Sequence, residues 1–523
     1  MYLDLSILTI SRNKNNLLDL VNSIDNSKHN LQFEVLCAWN GDISEIDSLD
    51  FHFQSKIKLL DVGSYSFSRN NNALAKYAKG KTLLFINDDI VVDQNCIQEA
   101  YDALQKPDIG IVGANLRYPD DKLQHAGIFF CDDGTPYHRF KHEVHFQSSK
   151  VSKSMYVPAV TGAFIMIEAS EFYSIEFNEG FETAGEDIVL CIQYKQKYDK
   201  QVYYEANATA IHVENATRKL VSNAKKTPPK DLNKIKSFFV KQNDSFFQCK
   251  ILIVTEKPGW IMHRKALEIQ KRLPNVVINE DCPDADIVYY INYGYAPSNI
   301  PKKAITVANF THFDRNLHQE KFIKVAREVD HCIAVSEATA KVVKELGIPE
   351  KKISVVIVGA DTNFKPKLTL GIVGRVYPGG RKGEDLVKAV VEDPEMMSDM
   401  QIVASNEDWG VPVWDFEDRA NFYRAIDYLL VPSRLEGGPV PFMEALACGT
   451  LAIAPPIGVV SQFPHVEYSV GDIQSLKEVI RSVKNGFLER RTKIAQYIAP
   501  YNWENWAFQH ENIFRKLLGF TCV

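Results

Sequence analysis

Long apolar runs are missing from this chain. No stretch of about 18 hydrophobic residues occurs, so no membrane-spanning helix is expected. The opening Met1–Leu8 has neither a basic region nor a long apolar core, so no secretory signal is expected either. The nine cysteines are scattered without a CxxC pair. That fits reduced, mostly structural thiols of a cytosolic protein better than a disulfide framework or a zinc site. Excess positive charge is also lacking. With 60 Lys and Arg against 66 Asp and Glu the formal net charge is -6, which argues against electrostatic capture of nucleic acid. Internal repeats and low-complexity tracts are absent from the sequence.

What is present is ordinary for a globular protein. Hydrophobic residues make up 45% and charged residues 24% of 523 positions, a length that implies roughly two to four domains. The first third alternates short apolar runs with helix-like segments, as a mostly parallel sheet with crossover helices would. Leu5–Ile10, Phe33–Ala38, Lys81–Ile86 and Val160–Ile167 read as strands. Asn15–Ile24, Asn70–Ala78 and Glu186–Lys195 read as helices. Residues 218–244 then shift in composition, with Pro228-Pro229 and little apolar periodicity until Ile235–Phe239. They read as a linker carrying one helix. Strand-like runs recur from Lys250–Val254 to Leu451–Ala454, and a break between Val358 and Leu368 divides this half into two Rossmann-like lobes.

Two groups of residues carry chemistry. In the first, Asn87-Asp88-Asp89 follows the apolar run Thr82–Ile86. A carboxylate just past a buried strand can hold a hard cation, and a cation eases departure of a diphosphate. The plain alternative is a strand end capped by a turn. Glu186-Asp187 opens an apolar helix, where a carboxylate can act as a base or merely complement the helix dipole. His212 can complete a metal shell, although a lone histidine is more often structural.

In this order, the first group resembles the family 2 glycosyltransferases of GT-A fold, over about residues 3–218. The resemblance includes Ser6–Asn13, Phe67-Ser-Arg-Asn70, Leu123-Gln-His-Ala-Gly127, Val160-Thr-Gly-Ala163, Glu186–Cys191 and His212–Arg218. It implies a divalent cation, Mn or Mg, bound by Asp89 with Asp88 nearby and His212 in addition. It places Asn13 and Asp88 on the donor and makes Asp187, beside Glu186, the base of an inverting displacement. The chain departs from the family in having Trp39-Asn40-Gly41-Asp42 where Asp-Asp-Gly-Ser is common, and Asn87 at the usual first Asp of the metal motif.

The second group lies in the other half. Gly374-Arg375 follows a strand, Arg381-Lys382-Gly383 comes shortly after, and Glu436 and Glu444 flank Gly437-Gly438-Pro439. Glycine admits a diphosphate close to the backbone, and Arg and Lys neutralise it without a metal. The bland reading is a turn with surface basics. Backbone amides at Gly437 and Gly438 can hold phosphate or sugar oxygens, and the carboxylates can accept from sugar and ribose hydroxyls. This half resembles the family 4 glycosyltransferases of GT-B fold, over about residues 249–518. The resemblance implies diphosphate binding by Arg375 and Lys382, contact of Glu436 with the transferred sugar and of Glu444 with the ribose. It also implies retention of configuration without a metal. His312 is an acceptor-side candidate, with an ordinary structural histidine as its alternative.

The expected architecture is therefore α/β throughout. A GT-A domain over residues 1–220 and a linker with a helix over 221–248 precede a compact GT-B module of two lobes, about 249–365 and 366–505, with a terminal helix crossing back. The expected function is bifunctional transfer from nucleotide sugars to a glycan or lipid-linked glycan of a bacterial surface polysaccharide, of capsule or O-antigen type. The expected place is the cytoplasm, with room for peripheral contact with the inner membrane face or a polysaccharide-assembly partner, and with no nucleic-acid partner. Two alternatives stay open: one half could be a carbohydrate-binding or docking module, or the acceptor could be a protein.

Overall fold

The computed structural model describes residues 3–42, 57–214, 228–239, 244–313 and 318–521. Of the segments read above, residues 215–227 and 240–243, which include the end of the His212–Arg218 stretch and much of the linker, lie outside the described residues. The chain divides into two compact units, residues 1–357 with 507–523, and residues 358–506.

The first unit begins with a ten-stranded sheet. Its strands are β1 (Leu3–Ser11), β2 (Phe33–Trp39), β3 (Lys58–Leu60), β4 (Gly80–Ile86), β5 (Ile90–Val92), β6 (Ile109–Arg117), β7 (Leu123–His125), β10 (Met155–Tyr156), β11 (Phe164–Glu168) and β12 (Gln201–His212). The strands β8 (Ile128–Phe130) and β9 (Pro136–His138) form a separate hairpin. The main order is β10-β12-β6-β11-β4-β1-β2-β3, with β5 on β12 and β7 on β6. The sheet is mixed, which corrects the expectation of a mostly parallel one. Pairs β1–β2, β1–β4, β2–β3 and β6–β12 are parallel, but β11 runs antiparallel between β4 and β6. Strand direction depends on long-range pairing, and a short apolar run does not record it. The continuous run of β6, all nine residues buried, was also passed over in the sequence reading.

Both faces of this sheet are covered, so its strands are apolar at successive positions rather than alternately. Leu84 and Ile86 join one core with Leu17, Leu20, Val21 and Ile24 of the helix Lys14–Asn26. Leu83 and Phe85 join the opposite core with Ile188, Cys191 and Tyr194 of the helix Glu186–Lys197. The segment read as a linker carries the helix Pro229–Phe238, whose Ile235 belongs to this second core.

A six-stranded parallel sheet follows in the same unit. It consists of β13 (Ile251–Val254), β14 (Val276–Ile278), β15 (Ile287–Tyr290), β16 (Ile305–Phe310), β17 (His331–Ala334) and β18 (Ile353–Val355), in the order β14-β13-β15-β16-β17-β18. The chain's last residues pack here and on the first sheet's periphery. His510 meets the Tyr289 hydroxyl at 3.0 Å, and Glu511 pairs with Arg272 at 2.6 Å. Arg139 is 3% exposed and donates to the Leu518 carbonyl at 2.7 Å, while Phe520 lies edge-on to Phe129. Seven described cysteines are free, whereas Cys131 is in a disulfide, which departs from the expected set of reduced thiols. Pairing depends on the approach of two sulfurs in space, and sequence spacing does not show it.

The second unit holds a five-stranded parallel sheet of β19 (Leu368–Ile372), β20 (Met400–Ala404), β21 (Tyr428–Leu430), β22 (Ala452–Ala454) and β23 (Val466–Glu467), ordered β20-β19-β21-β22-β23. Its helix Ile473–Ile498 buries Leu476, Ile480 and Leu488 but also carries many charges. Among the described residues no helix is long and apolar enough to cross a membrane.

Deleting residues 507–523 should lower the thermal midpoint of the first unit. The deletion removes the Leu518 carbonyl from the buried Arg139 guanidinium, which keeps the Lys150 carbonyl, and loss of one acceptor from a charged donor costs about 1–3 kcal/mol. An unchanged midpoint in calorimetry would show that the tail is dispensable.

Candidate active site

The turn after β4 shows how sequence-distant groups meet. Asn87 N–H donates to the Ala163 carbonyl at 3.1 Å, which ties the turn to the entry of β11. The chain then re-enters the sheet as β5, and β5 pairs with the end of β12 so that Ile90 faces His212. The Val213 N–H donates to the Asp89 carbonyl at 3.1 Å. This register sets His212 Nε2 3.0 Å from Asp89 Oδ1, both side chains being buried.

The imidazole's orientation is held from behind. His212 Nδ1 lies 2.6 Å from Gln124 Oε1. The Gln124 amide nitrogen donates to the His212 carbonyl and to Glu214, each at 3.4 Å. Those donations leave Gln124 Oε1 as the acceptor, so Nδ1 carries a hydrogen and Nε2 is the nitrogen turned to Asp89. The Asn87 amide also approaches Nε2, at 3.3 Å. A carboxylate facing an imidazole lone pair is repulsive unless a proton or a cation lies between them. This donor set fits a divalent cation held by one oxygen and one nitrogen ligand, with the ring braced by Gln124. Among the described residues no three His, Cys, Asp or Glu side chains gather as a complete metal shell.

Asp88 turns the other way. Its Oδ2 accepts from the Ser11 hydroxyl at 2.7 Å. Burial pushes the Asp88 carboxyl up to about 6, the Ser11 hydrogen bond opposes that rise, and the charge of Asp89 adds to it. Asn13 caps the helix Lys14–Asn26, its Oδ1 accepting from Asn15 N–H at 2.9 Å and Asn16 N–H at 3.3 Å.

Asp187 stands at the start of the helix Glu186–Lys197, after Gly185 at φ 114°. Its Oδ2 accepts from Gly162 N–H at 2.7 Å and its Oδ1 from Ile188 N–H at 2.8 Å. Gly162 immediately precedes the Ala163 that receives Asn87, so Asp187 and the Asn87–Asp89 turn are fastened to one loop. Glu186 beside it is buried. The Ser11 and Gln124 contacts escaped the sequence reading, although both residues lay inside segments it singled out. Nothing in a single sequence marks Gln124 as the brace of His212, because the two are 88 residues apart.

In the second unit, Lys382 and Glu436 form an ion pair, with Ser433 donating to the same Glu436 oxygen at 3.3 Å. The loops that bring them together are stapled by Arg434. Its guanidinium grips both Asp385 oxygens at 2.7 and 2.6 Å and the Gly380 carbonyl at 2.7 Å. Gly383, at φ 75°, leaves no room for a side chain, since a Cβ there would lie 2.1 Å from the Pro432 carbonyl oxygen. A Cβ on Gly437 would meet nothing within 4 Å, and one on Gly438 would meet only Val459 among the described residues. Arg375 is exposed after Gly374, whose carbonyl accepts from Trp409 at 2.8 Å and Asn406 at 3.0 Å. Glu444 is placed apart from the Lys382–Glu436 pair in its contacts, accepting from the Tyr423 hydroxyl at 2.6 Å. His312 is exposed beside Thr311 in the first unit.

The family model described as Glycosyl transferase family 2 matches residues 6–150, so the N-terminal region carries a domain of that family. An uncharacterized protein, y4gI, of Sinorhizobium fredii is 30% identical over 200 residues, covering 36% of this chain and 22% of that protein. The O-antigen biosynthesis protein RfbC of Myxococcus xanthus is 29% identical over 171 residues, covering 31% of this chain and 13% of RfbC. The chain thus spans less than a quarter of the length of these curated relatives. The crystal structure of GalNAc-T7 with UDP, GalNAc and Mn2+ overlaps 45% of this chain and 48% of its own, at 11% identity and a TM-score of 0.36. A likeness that weak carries no argument about chemistry.

Replacing Glu436 by Ala should destabilise the second unit by about 1–3 kcal/mol, because the largely buried Lys382 ammonium loses its counter-charge. Adding Lys382→Met should recover part of that loss. Urea unfolding followed by tryptophan fluorescence and far-ultraviolet circular dichroism measures both, and equal midpoints for all forms would show that solvent screens the pair.

Proposed function

We propose that the chain is a bifunctional glycosyltransferase that extends a bacterial surface polysaccharide from nucleotide-sugar donors, on the cytoplasmic side. The observation that carries the reading is the Asp89–His212 apposition, with Asp187 anchored on the loop that receives the same turn. The family 2 match over residues 6–150 supports transferase chemistry in this region, and the RfbC relative supports a polysaccharide acceptor.

In this proposal Asp89 and His212 hold a divalent cation, with Asp88 alongside and the remaining ligands drawn from donor oxygens and water. Such a cation would neutralise charge on the departing diphosphate. Asp187 takes the proton of an acceptor hydroxyl while that oxygen bonds to the anomeric carbon. The bond from that carbon to the diphosphate breaks, and configuration inverts. The Gly162 and Ile188 N–H groups keep Asp187 aimed.

For the second half the proposal is a retaining, metal-independent transferase. Lys382 and Arg375 bind the donor diphosphate, Gly437 and Gly438 offer backbone amides, Glu436 meets the transferred sugar and Glu444 the ribose. On donor arrival Lys382 would exchange Glu436 for phosphate oxygens, which releases the carboxylate for sugar hydroxyls. The proposed boundaries remain a transferase domain to about residue 220 and a second from about 249.

The test is a panel of sugar nucleotides with a synthetic lipid-linked acceptor, read by mass and NMR. Chelation should stop the inverting transfer and spare the retaining one. Asp187→Asn should slow the inverting transfer about 10²–10⁴-fold, the usual scale for a general base. Near-normal turnover would assign the base elsewhere. An unchanged product from Glu436→Ala would instead make the second half a binding module.

Gln124 offers a check that needs no acceptor. Gln124→Leu should weaken Mn2+ binding about 10–100-fold, as loss of an outer partner of a ligating histidine does. Titration by electron paramagnetic resonance measures it, and wild-type affinity would place the cation away from His212.

A further inference from the structure

The helix Pro229–Phe238 lies outside both groups of sequence motifs, yet one of its side chains is a buried carboxylate. Asp231 is 1% exposed. Its Oδ1 accepts from Glu182 N–H at 3.3 Å, and its Oδ2 from Thr183 N–H at 2.9 Å and Ala184 N–H at 3.3 Å. Three consecutive amides thus converge on one carboxylate. Only a carboxylate can receive them all, because an amide side chain would turn an N–H donor toward them.

The same helix closes on the next residue along. Ile235 is 1% exposed and lies against Gly185, where a Cβ would sit 2.6 Å from Ile235 Cδ1. Gly185 takes φ 114° and caps the helix that begins with Glu186 and Asp187. Lys234 adds a contact over the Phe181 ring at 4.7 Å. The beginning of the loop is held separately, by Asn72, which donates to the Phe177 carbonyl and accepts from Phe177 N–H, both at 2.9 Å. Asp231 therefore governs the last stretch of backbone before Asp187, and Asp187 ends that path on Gly162 N–H.

We propose that Asp231 is a positioning residue: by gripping the amides of residues 182–184 it sets the start of the following helix and so aims the Asp187 carboxylate. The role of Asp187 rests on the reading given above, but the mechanical link from Asp231 to Asp187 does not. A carboxylate buried for packing alone would be a poor choice, since an apolar side chain would fill the space without the cost of desolvating a charge. What the carboxylate adds is direction, because each charge-assisted bond fixes where one peptide plane points.

The experiment uses the full chain with Asp231→Asn, Asp231→Ser and Asp187→Ala. Amide exchange is read by mass spectrometry with single-residue fragmentation, and no ligand is needed. Asp231→Asn should speed exchange at 182–184 and also at Gly162 by about 10-fold or more, and leave β4 as protected as before. Asp187→Ala should loosen Gly162 and Ile188, the two amides its carboxylate holds, and leave 182–184 protected. With the donor and acceptor found by the panel, Asp231→Asn should lower kcat of the inverting transfer about 10–100-fold, the scale of a misplaced group, with donor KM held within about 2-fold. Loosened 182–184 with unchanged Gly162 exchange would overturn the proposal, as would unchanged kcat in a background where Asp187→Asn is inactive. Should Asp231→Asn also deprotect β4, Asp231→Ser provides the same comparison without the misplaced donor, and global deprotection in both would make Asp231 structural. Full turnover by Asp187→Asn would refute the base assignment alone, leaving the exchange result at Gly162 to decide the link.

Discussion

Three residues of β5 pair antiparallel with the end of β12, and the first candidate site hangs on that pairing. The chain leaves β4 at Ile86, turns through Asn87-Asp88-Asp89, and must rejoin a sheet to satisfy its backbone. It does so beside β12, which ends on His212. A one-residue slip would send His212 to the other face and leave Asp89 opposite an apolar side chain. Ladder hydrogen bonds thus decide which titratable groups meet. Gln124 and Asn87 then refine the orientation of a ring that the register has already delivered.

The second unit gathers opposite charges by other means. There the loops after β19 and β21 are drawn together by the Arg434 fork on Asp385 and by the approach of Gly383 to Pro432. Lys382 and Glu436 neutralise each other across that seam. The first site instead sets the Asp89 carboxylate against the His212 imidazole.

Much of the local structure was legible because it is local. Asn87-Asp88-Asp89 sits past an apolar run, and the run is β4. Leu17, Val21 and Ile24 recur at helical spacing, and they are buried on one helix face. The parallel sheets of residues 251–355 and 368–467 follow from alternating strand and helix patterns. Misread features shared another property. The antiparallel insertion of β11 and the buried run of β6 depend on partners far along the chain. The segment holding Pro228-Pro229 and many lysines had the composition of a linker, yet it supplies Asp231 and Ile235 to the loop before Asp187.

By itself the sequence determined which chemical groups are available and where apolar periodicity places strands and helices, since both depend on neighbours within a turn or two. It determined that acidic residues close one strand and open one helix, and that Arg, Lys and Glu cluster around glycines in the other half. Only the tertiary structure decided that Asp89 faces His212, that Gln124 turns the imidazole Nε2 toward Asp89, and that Asp231 holds the approach to Asp187. The reason is physical: a hydrogen bond between residues 47 to 125 positions apart depends on register and packing, which the spacing of residues along the chain does not encode.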